Sequence, residues 1–279
     1  LSLICSVAGG VLNIVLDYVF ISVFAMGISG AAIATGMGYS VTAVAGLFVF
    51  SRKSNFLHFK KPSFRLRVLA RAAANGCSEM AAALVTGIIT MMFNLTMLHY
   101  AGENGVAAVT IIMYVLMFAS SLYTGYSYGV APMLSYYHGE RSHAKLKKLV
   151  AVSLKVIAVI SVLTAAFSFC FTEPLVSIFA RPDNPVYELA VTGNRICTIA
   201  LLFIGFNIFA SGMFTALSNG VVSAVLAFSR SFVFMLVTML LLPAILGVNG
   251  IWLATPVAEL MAVALSAGMF FKYRKRYGY

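Results

Sequence analysis

The sequence predicts an all-α integral membrane protein of about eight transmembrane helices. Three observations lead there. Hydrophobic residues make up 61% of the 279 and charged residues only 10%, where a soluble domain carries about 25% charged residues. Mean hydropathy is +0.97. The apolar residues fall into eight runs long enough to span a bilayer, and the basic residues collect between them.

The runs are 2–24, 30–50, 73–97, 106–131, 150–171, 187–215, 221–243 and 250–271. The first two are joined by a short Gly-containing reversal, Met26 to Gly30, and the last two by Leu246 to Gly250. Residues 51–72 form the longest polar stretch, with Arg52, Lys53, Lys60, Lys61, Arg65, Arg67 and Arg71, and are expected to link two helix bundles. A second basic cluster, Arg141, Lys145, Lys147 and Lys148, separates the fourth and fifth runs, and the tail holds Lys272, Arg274, Lys275 and Arg276. Eight alternating helices place all three clusters on one side, as the positive-inside rule requires of the cytoplasm. The opposite loops are poor in Lys and Arg; Ala101 to Gly105 has none. The +11 net charge therefore reads as membrane topology rather than as a nucleic-acid surface. Leu1 is not a start methionine and no basic region precedes the first run, so that run is not read as a signal peptide and the chain is expected to derive from a longer one. Cys5, Cys77, Cys170 and Cys197 show no metal-ligand spacing and are expected to be free. The four histidines sit in loops or near helix ends, none paired at metal-ligand spacing.

Polar residues inside the apolar runs are functional-site candidates, because a charge at mid-membrane costs roughly 2.5–3.5 kcal/mol on insertion scales. Asn13 and Asp17 stand four apart in the first run. On a helix they share one face, about 6 Å apart along the axis. Thr35 lies on the next helix at nearly the same depth from the reversal, so an amide oxygen, a carboxylate and a hydroxyl are expected to converge. Such hard oxygen ligands suit a small cation or a proton. Met26–Thr35 also aligns with Leu246–Thr255 at an offset of 220 residues, an internal repeat of the helix–reversal–helix frame. The offset puts Val233 and Val237 where the first copy has Asn13 and Asp17, so the frame alone does not require polar groups there. Deep in the last two runs, Arg230 and Glu259 lie seventeen and twelve residues from Gly247. The depth difference of about 7–8 Å is within an arginine's reach, and an interhelix ion pair is expected, with a gating or substrate role as the other reading.

Taken together, Asn13-Ile14-Val15-Leu16-Asp17, Gly30-Ala31-Ala32-Ile33-Ala34-Thr35, Asn75-Gly76-Cys77-Ser78-Glu79, Phe93-Asn94-Leu95-Thr96, Gly105 to Thr110 and Gly129 to Tyr136 resemble the multidrug and toxic compound extrusion (MATE) family, in its bacterial branch. The resemblance covers essentially the whole chain. It implies two six-helix lobes working by alternating access, of which this chain would hold the last two helices of the N-terminal lobe (1–50), a cytoplasmic linker (51–72) and a complete six-helix C-terminal lobe with a basic tail (73–279). It also implies an antiporter of the inner (plasma) membrane that exports small, mostly cationic organic compounds against a Na+ or H+ flow, with no cofactor beyond the coupling ion, and acting as a monomer. Asn13, Asp17 and Thr35 match the family's first-lobe cation ligands. Glu79 matches an acidic residue that some members use in coupling. The Asp those members pair with it is missing here; the nearest polar residue in that region is Asn207.

Two other readings compete. A lipid-linked saccharide flippase of the same superfamily would line its cavity with several Arg or Lys, and this chain offers essentially Arg230 at mid-span. An intramembrane enzyme would need a nucleophile with a base partner at membrane depth, and no histidine sits there. No GxxxxGK[ST] run is present, so energy is not expected to come from ATP.

Overall fold

The computed structural model describes the backbone of residues 2–52 and 66–279 and, within these, the side chains other than those of residues 2, 67–83 and 275. Most of the basic stretch 51–72, Cys77 and the Glu79 side chain lie outside the described residues. Among the described residues every regular element is a helix. Seven of these helices are long and apolar enough to cross a membrane. One of the seven, Leu84–Gly139, is 56 residues long and is broken at Gly102, whose φ of 64° and ψ of −159° are not helical. The chain is thus a multi-pass, all-helical membrane protein. It divides into two compact units, Leu1–Ala72 and Ala73–Tyr279.

In the first unit, α1 (Ser2–Asp17) runs directly into a π-helical turn, Tyr18–Val23, before the chain reverses into α2 (Gly27–Ser51). The reversal needs left-handed backbone at Gly27, φ 57°, which glycine adopts without strain. The buried face of α2 is Gly30, Ala34 and Gly38, one small residue per turn. Small side chains let the two backbones approach, which is how helices gain contact in a solvent as apolar as their own side chains. A Cβ on Gly9 of α1 would stand 2.7 Å from the Gly38 carbonyl oxygen, so this crossing point admits no larger residue on α1.

The second unit comprises most of α3 (Leu66–Gly139), then α4 (His143–Cys170), α5 (Thr172–Ser177), α6 (Pro185–Ala216), α7 (Gly220–Phe228), a second π-helical turn (Ser229–Phe234), α8 (Met235–Leu246) and α9 (Val248–Tyr277). Pro185 opens α6 at a position where its missing N–H costs nothing, and the Asn184 side chain accepts the Val186 N–H at 2.9 Å. α6 is the central helix, packed against α4, α5, α7 and α9. Two apolar cores form along its length: one around Tyr123, Leu201, Phe209 and Phe214, the other around Met97, Ile112, Val176 and Trp252.

The repeat read from the sequence shares a positive φ at its glycine, although the first copy also has one at Ala25 where the second has Ile245 within α8. Gly247 ends α8 with φ 58°, matching Gly27 at 57°. α9 then buries Gly250, Ala254, Ala258 and Ala262, and the first three stand 220 residues after Gly30, Ala34 and Gly38.

Candidate functional site

Besides a neutral cluster of Ser168, Thr172, Asn194 and Thr198, polar groups inside the described helices gather around a charge at two places, one in each unit. In the first unit, the close approach of Gly9 and Gly38 leaves a cavity of about 270 Å³ beside it, lined by Ser6, Gly9, Gly10, Asn13, Thr35, Gly38, Tyr39 and Thr42. Asn13 stands directly over Gly38: a Cβ added there would lie 3.0 Å from the Asn13 Cβ. The Thr35 hydroxyl donates to the Ala31 carbonyl at 2.9 Å, which leaves its oxygen lone pairs as acceptors. Asn13 and Thr35 therefore share one cavity. Asp17 does not line it; it is the last residue of α1, where the π-helical turn begins. π-helical turns recur at functional sites because they break the regular helical register. Asn13 Nδ2 and Asp17 Oδ1 are both buried and have no hydrogen-bond partner among the described residues. Buried polar atoms are nearly always satisfied. Ser153 Oγ and Ser161 Oγ on α4 are likewise buried without a partner among the described residues, so what distinguishes the pair on α1 is the carboxylate of Asp17.

In the second unit the polar groups close on one another. Arg230 Nε donates to Glu259 Oε1 at 2.7 Å and to Oε2 at 3.0 Å. Asn207 Nδ2 donates to Glu259 Oε2 at 2.7 Å and to the Glu259 carbonyl at 3.0 Å. Ser266 Oγ donates to Asn207 Oδ1 at 3.0 Å. Glu259 is only 5% exposed and Asn207 3%. Arg230 belongs to the second π-helical turn, so in both units the charged residue adjoins one. The helices α6 and α9 supply the chain Ser266–Asn207–Glu259, and Arg230 ends it at a cavity of about 860 Å³. That cavity is rich in hydroxyls, among them Thr124, Ser127, Ser135, Ser211, Thr215 and Ser231.

Depth counting from Gly247 put Arg230 within side-chain reach of Glu259, and the two pair at 2.7 Å. It did not connect Asn207 to them, and Ser266 was missed. The signal for Ser266 was present: it follows Glu259 by seven residues, two turns along the same face of α9. Glu79 lies outside the described side chains, so the structure does not relate it to either cluster. Among the described residues no group of three His, Cys, Asp or Glu is placed to hold a metal ion, and Cys5, Cys170 and Cys197 are free.

Comparison with known proteins places these features. The MatE family model matches residues 80–241, more than half of the chain. The chain belongs to the MATE family. The multidrug export protein MepA of Staphylococcus saprophyticus is 24% identical over 280 residues, covering 99% of this chain and 60% of MepA. An inward-facing structure of a multidrug resistance MATE transporter superposes with a TM-score of 0.82 at 23% identity, over 98% of this chain and 63% of that one. An outward-facing structure gives 0.80 at 22% identity, over 98% and 61%. The MATE fold of the chain is thereby shown, and the chain spans about three fifths of the length of the relatives it matches.

Proposed function

We propose that this MATE protein is a Na+- or H+-coupled antiporter that exports small amphipathic, mostly cationic compounds by alternating access. The observation that carries the reading is the orphaned carboxylate oxygen of Asp17 on α1. Asn13 and Asp17 sit in an apolar helix with a buried amide nitrogen and a buried carboxylate oxygen left without partners among the described residues. A carboxylate kept free within a membrane helix is costly unless it exchanges an ion. Asn13, Asp17 and Thr35 then act as the coupling site, with Glu79 as a further titrating or substrate-attracting carboxylate and Asn207 as a polar contact in the second unit. The export reading is supported by the relatives named for multidrug export. Transport rather than catalysis accords with the MATE fold.

The three basic clusters then face the cytoplasm, and the protein resides as a monomer in the plasma membrane, its residues divided as 1–50, 51–72 and 73–279 between the end of one lobe, a linker and a second lobe. The flippase reading is not favoured. Among the residues lining the second unit's large cavity Arg230 is the sole cation, where a pyrophosphate would call for several.

The test is ethidium efflux from energised cells expressing the protein, with Asp17→Asn beside wild type. The variant keeps the shape and removes the charge. Efflux is expected to fall to the level of cells lacking the protein, and suppression of wild-type efflux by sodium removal or by a protonophore names the ion. Wild-type efflux from Asp17→Asn would overturn the assignment of Asp17.

A further inference from the structure

Arg230 has work left over after its ion pair. Its two hydrogen bonds both use Nε, and both go to Glu259. The terminal guanidinium nitrogens make no hydrogen bond among the described residues, and the residue lines the 860 Å³ cavity with 23% of its side chain exposed. A guanidinium presents its donors as a planar fork. The edge that includes Nε is occupied by a carboxylate that is itself fixed twice by Asn207, which Ser266 fixes in turn. Burial of Glu259 and Asn207 makes that arrangement rigid. The arginine is therefore held in place before anything enters the cavity. Around it stand hydroxyl groups, including Ser127 and Ser231, that make no hydrogen bond among the described residues.

A purely structural pair does not need this. Two buried charges that only neutralise one another are best placed away from any cavity, since water or ligand there competes for the guanidinium. A pre-positioned fork with a free edge, in a hydroxyl-lined space, is the arrangement that binds a carboxylate through two parallel N–H···O bonds.

We propose that Arg230 is the anchor of a substrate subsite in the second unit, which takes the carboxylate of amphipathic anions and zwitterions, with Glu259, Asn207 and Ser266 as its positioning residues. The proposal rests on the exporter reading and assigns to one residue the recognition of those substrates that carry a carboxylate. Glu259 keeps the Arg230 head near neutrality as a pair. The site therefore selects by hydrogen-bond geometry as much as by charge, and cationic groups elsewhere on the same ligand are not repelled.

The experiment uses rhodamine B, a zwitterion with a free carboxylate, and its ethyl ester, which keeps the ring system and loses the anion. Fluorescence anisotropy measures binding of each to the purified chain in nanodiscs. Wild type is expected to bind the acid about tenfold more tightly than the ester, the size of one charge-assisted contact. Arg230→Met combined with Glu259→Met removes the fork without stranding a buried charge. It is expected to bind the two dyes equally, with ester affinity unchanged. Equal binding in wild type, or a preference for the acid that survives in the double variant, overturns the proposal. Should the double variant bind neither dye, Arg230→Lys decides. Lysine keeps a cation opposite Glu259 and loses the fork, so a preference cut severalfold supports the subsite and an unchanged preference overturns it. Ester binding without a preference for the acid leaves the exporter reading standing, whereas that reading fails separately, through loss of ethidium efflux from wild type.

Discussion

The two charged clusters draw on the helices of the repeated frame, the second with Asn207 of α6 added, and they do opposite things with their charges. On α1, half-buried Asn13 and Asp17 each have one buried atom, Nδ2 and Oδ1, that bonds to nothing among the described residues. Between α6, α9 and the second π-helical turn, Arg230, Glu259, Asn207 and Ser266 bond to one another in sequence. The helix pairs that carry them are alike in part: Gly27 and Gly247 share a positive φ, and small residues are buried at matching positions, Gly30, Ala34 and Gly38 against Gly250, Ala254 and Ala258. At the positions that correspond to Asn13 and Asp17, the second copy has Val233 and Val237, each 39% exposed. Packing of the frame is thus indifferent to polarity at those positions. The difference between the clusters is one of pairing: in the second each polar group is bonded to the next and only the outer guanidinium nitrogens of Arg230 are left over, whereas in the first Asn13 Nδ2 and Asp17 Oδ1 are left unbonded among the described residues.

The largest expected effect comes from opening the closed network. Glu259→Leu leaves the Arg230 guanidinium unpaired and removes one of the two acceptors that Asn207 Nδ2 has. Breaking a fully buried pair from one side costs about 3–5 kcal/mol, and Arg230, which is half-buried and can turn to the cavity, is expected to lose less than that. The yield of folded protein and its melting temperature in detergent should both fall sharply. Arg230→Leu with Glu259→Leu should recover a large part of the loss, because no charge is then stranded. A double variant no better than the single would mean that the network is not what holds α9 in place.

A smaller effect tests the likeness of the two frames. Gly27→Ala and Gly247→Ala each force a Cβ into left-handed backbone, at a cost of about 1–2 kcal/mol. Neither glycine has a heavy atom within 4 Å of the position a Cβ would take, so backbone strain is the whole effect and the two variants should lose equal stability. Unequal losses, read by thermal unfolding, would show that the reversals carry different loads.

How much of this was legible in the sequence follows the physics of each feature. Spans and reversals were legible because hydropathy and glycine are local signals. The approach of Arg230 to Glu259 was within reach because helical rise converts residue count into depth, and both count from Gly247. The bond from Asn207 to Glu259 was not, since counting along one chain gives depth but not which faces of α6 and α9 meet. Sequence placed Asn13, Asp17 and Thr35 together; the structure puts Asn13 and Thr35 on one cavity and Asp17 at the entrance to a π-helical turn. A π-helical turn has no sequence signature comparable to a glycine or a proline, so the shift of register after Asp17 could not be read in advance.

The smallest expected effect on stability is also the sharpest test of the comparison. Asp17→Asn is the same kind of change as Glu259→Gln, a carboxylate replaced by its isosteric amide. In the closed network an amide cannot accept through both atoms, so Glu259→Gln should lower the melting temperature by several degrees. Asp17 Oδ1 accepts no hydrogen bond among the described residues, so Asp17→Asn forfeits none there and the melting temperature in sodium-free buffer should barely move. Ligand linkage then separates the two sites. An ion that binds the folded protein at the open cluster stabilises it by about 2.7 kcal/mol at a hundredfold excess over its dissociation constant. Added sodium should raise the melting temperature of wild type and of Glu259→Gln, and should leave Asp17→Asn unchanged. A rise that persists in Asp17→Asn places the ion elsewhere, and a sodium-indifferent wild type turns the coupling toward protons. If instead Asp17→Asn unfolds as readily as Glu259→Gln, then Asp17 is a structural contact like Glu259, and the distinction between an open and a closed cluster fails.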